Sequence, residues 1–171
     1  MRRLYFLLCV PLFFGFIEPK YKDNSVLFHF ERILNQYRID NGRSPLVVDT
    51  ILKKFTEERC KYISEVEYSH NGFDNIKHLP FGFTIAGENI TEAIIPLDKK
   101  PYYSSNIKEI ENIMNKMAMS TSNYDIAMYC FLKWKYSPSH NNLLLNPQTK
   151  RFYLSYDKSR TRYYFDYVSL D

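Results

Sequence analysis

The sequence predicts an α+β fold, a mixed helix–sheet sandwich in one domain. Residues 24–40 and 50–65 carry apolar side chains at helical spacing, and a capping-box-like start opens a third helix over 123–136. Residues 151–156 and 161–169 instead alternate as strands, with Phe152, Leu154 and Tyr156 on one face of the first and Tyr163, Phe165 and Tyr167 on one face of the second. At 171 residues the chain is long enough to bury one substantial core.

Residues 1–21 have the layout of a signal peptide or N-terminal anchor. Arg2-Arg3 precede an almost unbroken apolar run, Leu4 to Ile17, shorter than the roughly twenty residues that cross a bilayer. Gly15 is the only small residue near its end, so a retained anchor stays open beside cleavage, and Leu8 before Cys9 argues against lipidation. The expected location is secreted, extracellular or periplasmic. No transmembrane span is expected beyond the leader.

The first helix is expected over 24–40, capped by Asn24 or Ser25 and ended by Asn41-Gly42, with glycine suited to the left-handed position past a helix end. Arg43 to Val48 reads as a short extended link. Asp49 then caps a second helix, Thr50 to Glu65, with Leu52, Phe55, Thr56, Cys60 and Ile63 at helical spacing and Glu57 and Glu58 on a solvated face. Tyr68-Ser69-His70-Asn71-Gly72 is turn chemistry that sets His70 just beyond that helix. Phe73 to Phe83 reads as loop, and Thr84 to Gly87 leads into Glu88. Residues 92–121 form an extra helical insertion: a Pro- and Tyr-containing loop, then Asn106 to Met119 with Ile107, Ile110, Ile113, Met114 and Met117 on one stripe. Ser122-Asn-Tyr-Asp125 resembles a capping box for a helix from Asn123 to Tyr136. Pro138 disfavours helical geometry at Ser137, so this helix should stop there and leave His140 on a turn. Asp157 to Arg160 is expected as the loop between the two C-terminal strands.

The net charge is only +4, with no basic block, so no nucleic-acid partner is expected. Outside the leader Cys60 and Cys130 could pair in an exported protein, but each reads better as a small core residue on its own helix. His29 and His78 read as bystanders.

Three stretches carry the candidate chemistry: Ser69-His70, Gly87-Glu88-Asn89-Ile90, and Trp134-Lys-Tyr-Ser137-Pro-Ser-His140-Asn141 followed by Asn142 and Leu143 to Leu145. Together with Leu34-Asn35, Tyr37-Arg38, Gly42 and Pro45-Leu46, and in this order, they resemble the CAP superfamily (cysteine-rich secretory protein, antigen 5 and pathogenesis-related 1), in its short bacterial-type SCP branch. The resemblance runs from about residue 28 to the C-terminus, so residues 22–171 are expected to form a CAP-like domain. It implies an α-β-α sandwich with a small antiparallel sheet between helices.

The resemblance also implies a cleft lined by His70, Glu88 and His140, with Ser69, Asn89, Trp134, Ser137 and Asn141 around it. A second acid of the family stands three residues after the tryptophan, where this chain has Ser137. His70, His140 and Glu88 are therefore the candidate metal ligands, for low-affinity Zn²⁺, since catalytic zinc normally takes three protein ligands and a water. The same three are the candidate catalytic residues, without an evident nucleophile, because Ser69, Ser137 and Ser139 adjoin histidines only in sequence. The expected function is an exported, monomeric module whose cleft binds an extracellular ligand, peptide or lipid without robust catalysis. The alternatives are a weakly zinc-dependent hydrolase or peptidase, and a lipid- or sterol-binding protein using the Met114/Met117 stripe.

Overall fold

The structure is a computed structural model, and it describes residues 24–73, 85–94, 122–159 and 162–171. The leader, His78 and the insertion from residue 95 through 121 lie outside the described residues. The fold is α+β.

Helix α1 spans Val26–Asp40. Ser25 caps it by accepting from the Phe28 amide, and Gly42, at φ 68°, ends it. The Gly42 amide donates to the Ile39 carbonyl and that of Arg43 to Arg38, the paired bonds of a Schellman ending that need the left-handed residue. The link that follows yields strand β1, Val47–Val48. The second expected helix begins as a 3-10 turn, Thr50–Leu52, capped by Asp49, and continues as α2, Lys53–Glu65. Strand β2 spans Ile85–Ile94, so the expected insertion begins inside a strand. Helix α3 spans Asn123–Lys135, with Ser122 accepting from the Asp125 amide as its cap.

The chain does not turn freely after α3. Ser137 and Pro138 begin a short helix, α4, Pro138–Leu144, which corrects the expectation that His140 sits on a turn. Proline ends one helix but is preorganised for the first position of the next, where no amide hydrogen is needed. Strands β3, Arg151–Ser159, and β4, Arg162–Leu170, pair antiparallel. The register carries β3 three residues past Tyr156, into the expected loop.

The sheet order is β1-β3-β4-β2. It is mixed and not wholly antiparallel, because β1 joins β3 in parallel while β2 pairs antiparallel with β4. The register puts Phe152 opposite Ser169, Leu154 opposite Tyr167 and Tyr156 opposite Phe165, so the two aromatic rows expected from alternation share one face. There Phe30 of α1 packs on Phe152, Tyr167 and Trp134, with ring centroids 5.6–6.0 Å apart. The opposite face meets α2, where Thr56 bonds Ser155 at 2.6 Å. Both faces of the sheet are thus covered by helices.

The polar residues of α1 act as pegs. Asn35 both donates to and accepts from the backbone of Leu46, and the fully buried Arg38 donates to the carbonyls of Ser44, Leu144 and Asn146. These bonds tie α1 to the start of β1 and to the end of α4, which fixes where α4 lies. Cys60 and Cys130 are buried, free thiols, and burial pushes both well above the ordinary thiol range. Among the described residues no helix is long and apolar enough to cross a membrane.

Candidate functional site

The site forms over strand β2, an edge of the sheet. Alternation along β2 sends Glu88 to the α2 side and Gly87 and Asn89 to the α4 side. His70 arrives from the end of α2 and His140 from α4, so the two imidazoles come from opposite layers. Their ring centroids stand 6.3 Å apart with an interplanar angle of 41°.

The α2 side is organised by a residue that sequence reasoning passed over. Arg59 is fully buried, and its guanidinium grips Glu88 through Nε to Oε1, 2.5 Å, and Nη2 to Oε2, 3.3 Å. The same group donates to the carbonyls of Ser69, 2.6 Å, and Asn71, 3.1 Å. One cation therefore holds both the carboxylate and the loop that bears His70. The loop is tightened by the Asn71 amide bonding the Ser69 hydroxyl at 3.1 Å. Gly72 closes it at φ 78°, in a place where a Cβ would press against the Tyr62 ring at 3.1 Å. A signal for Arg59 exists in the sequence: it falls four residues from both Phe55 and Ile63, on the apolar stripe of α2, and a charge on a buried stripe needs a partner.

His70 is 55% exposed and Glu88 3%, and Nδ1 of His70 lies 2.7 Å from Oε2 of Glu88. An ionised carboxylate only accepts, so Nδ1 carries the hydrogen and Nε2 of the neutral ring is left with its lone pair. Glu88 thus fixes the tautomer and orientation of His70.

His140 is the third residue of α4 and half-buried. Burial first, and the neighbouring His70 second, hold its imidazole below the ordinary histidine range. It is neutral at pH 7. Asn89, 1% exposed, donates from its side-chain amide to the His140 carbonyl at 3.1 Å, so β2 holds α4 in place. Gly87 allows the approach, since a Cβ there would meet Leu143 at 2.9 Å. Asn141 accepts from the Tyr37 hydroxyl, 3.0 Å, which fastens α4 to α1. Trp134 is buried at 1% exposure and donates from its indole to the Ile90 carbonyl at 3.1 Å, beneath the site. Ser137 lies 3.5 Å from Ser139, hydroxyl to hydroxyl. Among the described residues no serine hydroxyl bonds either imidazole, so no activated nucleophile is assembled there. His29 bonds Asn24 at 3.0 Å on the surface, away from the site.

Sequence reasoning found no second acid beside Glu88, and the fold supplies one. Asp166 of β4 stands opposite Ile90, one step along the same face from the position facing Glu88. It is fully buried within reach of Glu88, and burial, then the Glu88 charge, push its carboxyl well above the usual range despite Arg59. Its signal was an aspartate within a strand otherwise rich in aromatic and apolar residues.

Both Glu88 oxygens are engaged by Arg59 and His70, which leaves two imidazoles as open donors. Among the described residues no three His, Cys, Asp or Glu side chains group to hold a metal ion. Among the described residues the open donors are thus one short of the three protein ligands of a catalytic zinc centre. What the site offers is a pair of differently buried imidazoles, the half-buried His140 and the exposed His70, which a buried ion pair orients. Compared with known proteins, the sequence matches no family model and no curated protein.

Proposed function

We propose that this chain is a CAP-like, exported binding module whose cleft takes its ligand on His70 and His140 without turnover. The observation that carries this reading is the convergence of the two imidazoles across the β2 edge, with His70 held by Glu88 and Arg59. Support for the CAP resemblance comes from the way its four motifs work together. The Asn35, Tyr37 and Arg38 pegs tie α1 to β1 and α4, Trp134 and Asn89 bind β2 to the α3–α4 layer, and Glu88 meets His70. Neutral imidazoles accept hydrogen bonds or coordinate soft cations, so the ligand presents donors or a metal ion to them. A hydrolase is the weaker reading, because Glu88 is committed to Arg59 and His70 and, among the described residues, no serine hydroxyl bonds either imidazole. A lipid-binding role would rest on Met114 and Met117, outside the described residues.

Zinc is a suitable probe of paired imidazoles. Calorimetric titration of the wild type, His70→Ala and His140→Ala is expected to show weak binding that either substitution abolishes, with no zinc-stimulated peptide hydrolysis. Binding that survives one substitution would show that the rings do not act together. Hydrolysis lost in both variants would replace the binding module with the enzyme.

A further inference from the structure

Asp166 is unused by the reading above, and the inference drawn from it holds whatever the cleft binds. Its side chain is fully buried, and neither carboxylate oxygen has a hydrogen-bond partner among the described residues. Several donors lie on the surrounding elements, and each is committed elsewhere. The Arg59 guanidinium of α2 bonds Glu88 and the carbonyls of Ser69 and Asn71. Thr56 bonds the carbonyls of Leu52 and Lys53, so the hydroxyl of Ser155, opposite Asp166 on β3, supplies the hydrogen between them. The Cys60 thiol points to the Tyr164 carbonyl. What remains facing Asp166 among the described residues is Glu88 on β2, another acid. Two carboxylates and one guanidinium in a dry interior would leave a net negative charge, and like charges at such range do not both ionise.

We infer that Asp166 is a neutral carboxylic acid whose O–H donates to Glu88, making it a positioning residue that fixes Glu88 as the anionic acceptor of His70. The buried set Arg59, Glu88 and Asp166 is then electrically balanced. The Asp166 O–H then adds a third hold on Glu88 beside those of Arg59 and His70, which further restricts the carboxylate from turning away from Nδ1 of His70. The direction in which burial and Glu88 push Asp166 agrees with this. Asp157, a further acid on the same face of β3 as Ser155, bonds Ser64 of α2.

Asp166→Asn keeps the shape and can donate an amide N–H to Glu88, whereas Asp166→Leu cannot donate. Unfolding equilibria of the wild type and Asp166→Asn should be measured by urea titration across pH 5 to 6. The unfolded aspartate has lost its proton by then while the folded one retains it, so wild-type stability falls as pH rises. The asparagine variant lacks this dependence, so the ratio of the two unfolding constants is expected to change about tenfold per pH unit. Nitrogen-15 spectra should show the Nδ1–H tautomer of His70 retained in Asp166→Asn and lost as the dominant form in Asp166→Leu. A ratio that stays flat with pH would mean that Asp166 is ionised and would overturn the inference. An unchanged His70 tautomer in the leucine variant would reduce Asp166 to packing. If Asp166→Leu does not fold, the pH dependence of the asparagine ratio decides.

Discussion

Replacing Arg59 by Met is the sharpest test of how this site is built. The substitution keeps much of the aliphatic volume and removes the guanidinium bonded to Glu88. The Arg59 and Glu88 side chains are 0% and 3% exposed, so the remaining carboxylate has little access to water. Breaking a buried pair by deleting one partner costs about 3–5 kcal/mol. The part-buried bonds to the Ser69 and Asn71 carbonyls are lost as well, and their loss is counted within that range. A domain of this size is stable by about 5–15 kcal/mol in total, so the loss is a large share of it. With a urea slope of about 2 kcal/mol/M, the midpoint should fall by about 2 M at unchanged slope. The only tryptophan, Trp134, is buried and reports unfolding by fluorescence. The double variant Arg59→Met/Glu88→Gln should recover more than half of the loss, since no buried charge is then stranded. A single-variant loss under about 1 kcal/mol, or a double variant as unstable as the single, would refute the account of Arg59 as the counter-charge that permits Glu88 to be buried.

Two further outcomes follow from the same geometry. Trp134→Phe removes the indole N–H from the Ile90 carbonyl and leaves a void under the site, and is expected to cost about 2–4 kcal/mol; a thermal midpoint within a degree of wild type would show that the indole does not bind β2 to α3. His140 is held below the ordinary histidine range by burial and by His70, so the unfolded chain takes up this proton first as pH falls. Its contribution to stability is complete above about pH 6.5 and is lost as pH drops through the folded value. Urea midpoints from pH 7 to 5 should therefore fall less steeply in His140→Phe than in wild type, and equal slopes would dismiss this account.

Local signals were legible where a few neighbouring residues decide the outcome. Ser25, Asp49 and Ser122 cap the helices as the sequence indicates, and Gly42 ends α1 in the left-handed conformation. Alternation put Phe152, Leu154 and Tyr156 on one face of β3 and Tyr163, Phe165 and Tyr167 on one face of β4, and the register joins the two faces. Strand β2 was not legible as a strand. Its order Ile-Ala-Gly-Glu-Asn-Ile does not alternate, because Gly87 and Asn89 serve the close approach of α4 while Glu88 serves Arg59. The turn expected at His140 failed for a related reason: the local preference of Pro138 was read as an ending, and the packing of Leu144 and the Arg38 bonds made it a beginning.

By itself the sequence determined the α+β class, most helix boundaries and the alternating strands, properties that depend on periodicity and capping within a few residues, whereas His70, Glu88 and His140 were singled out only by the motifs of the resemblance. Only the tertiary structure decided that Arg59 and Asp166 belong to the same site, because strand pairing brings Asp166 to Glu88 across a long stretch of chain and helix packing aims Arg59 at both Glu88 and the His70 loop. A buried charge acquires its meaning from what surrounds it, and that surrounding is made by parts of the chain distant in sequence.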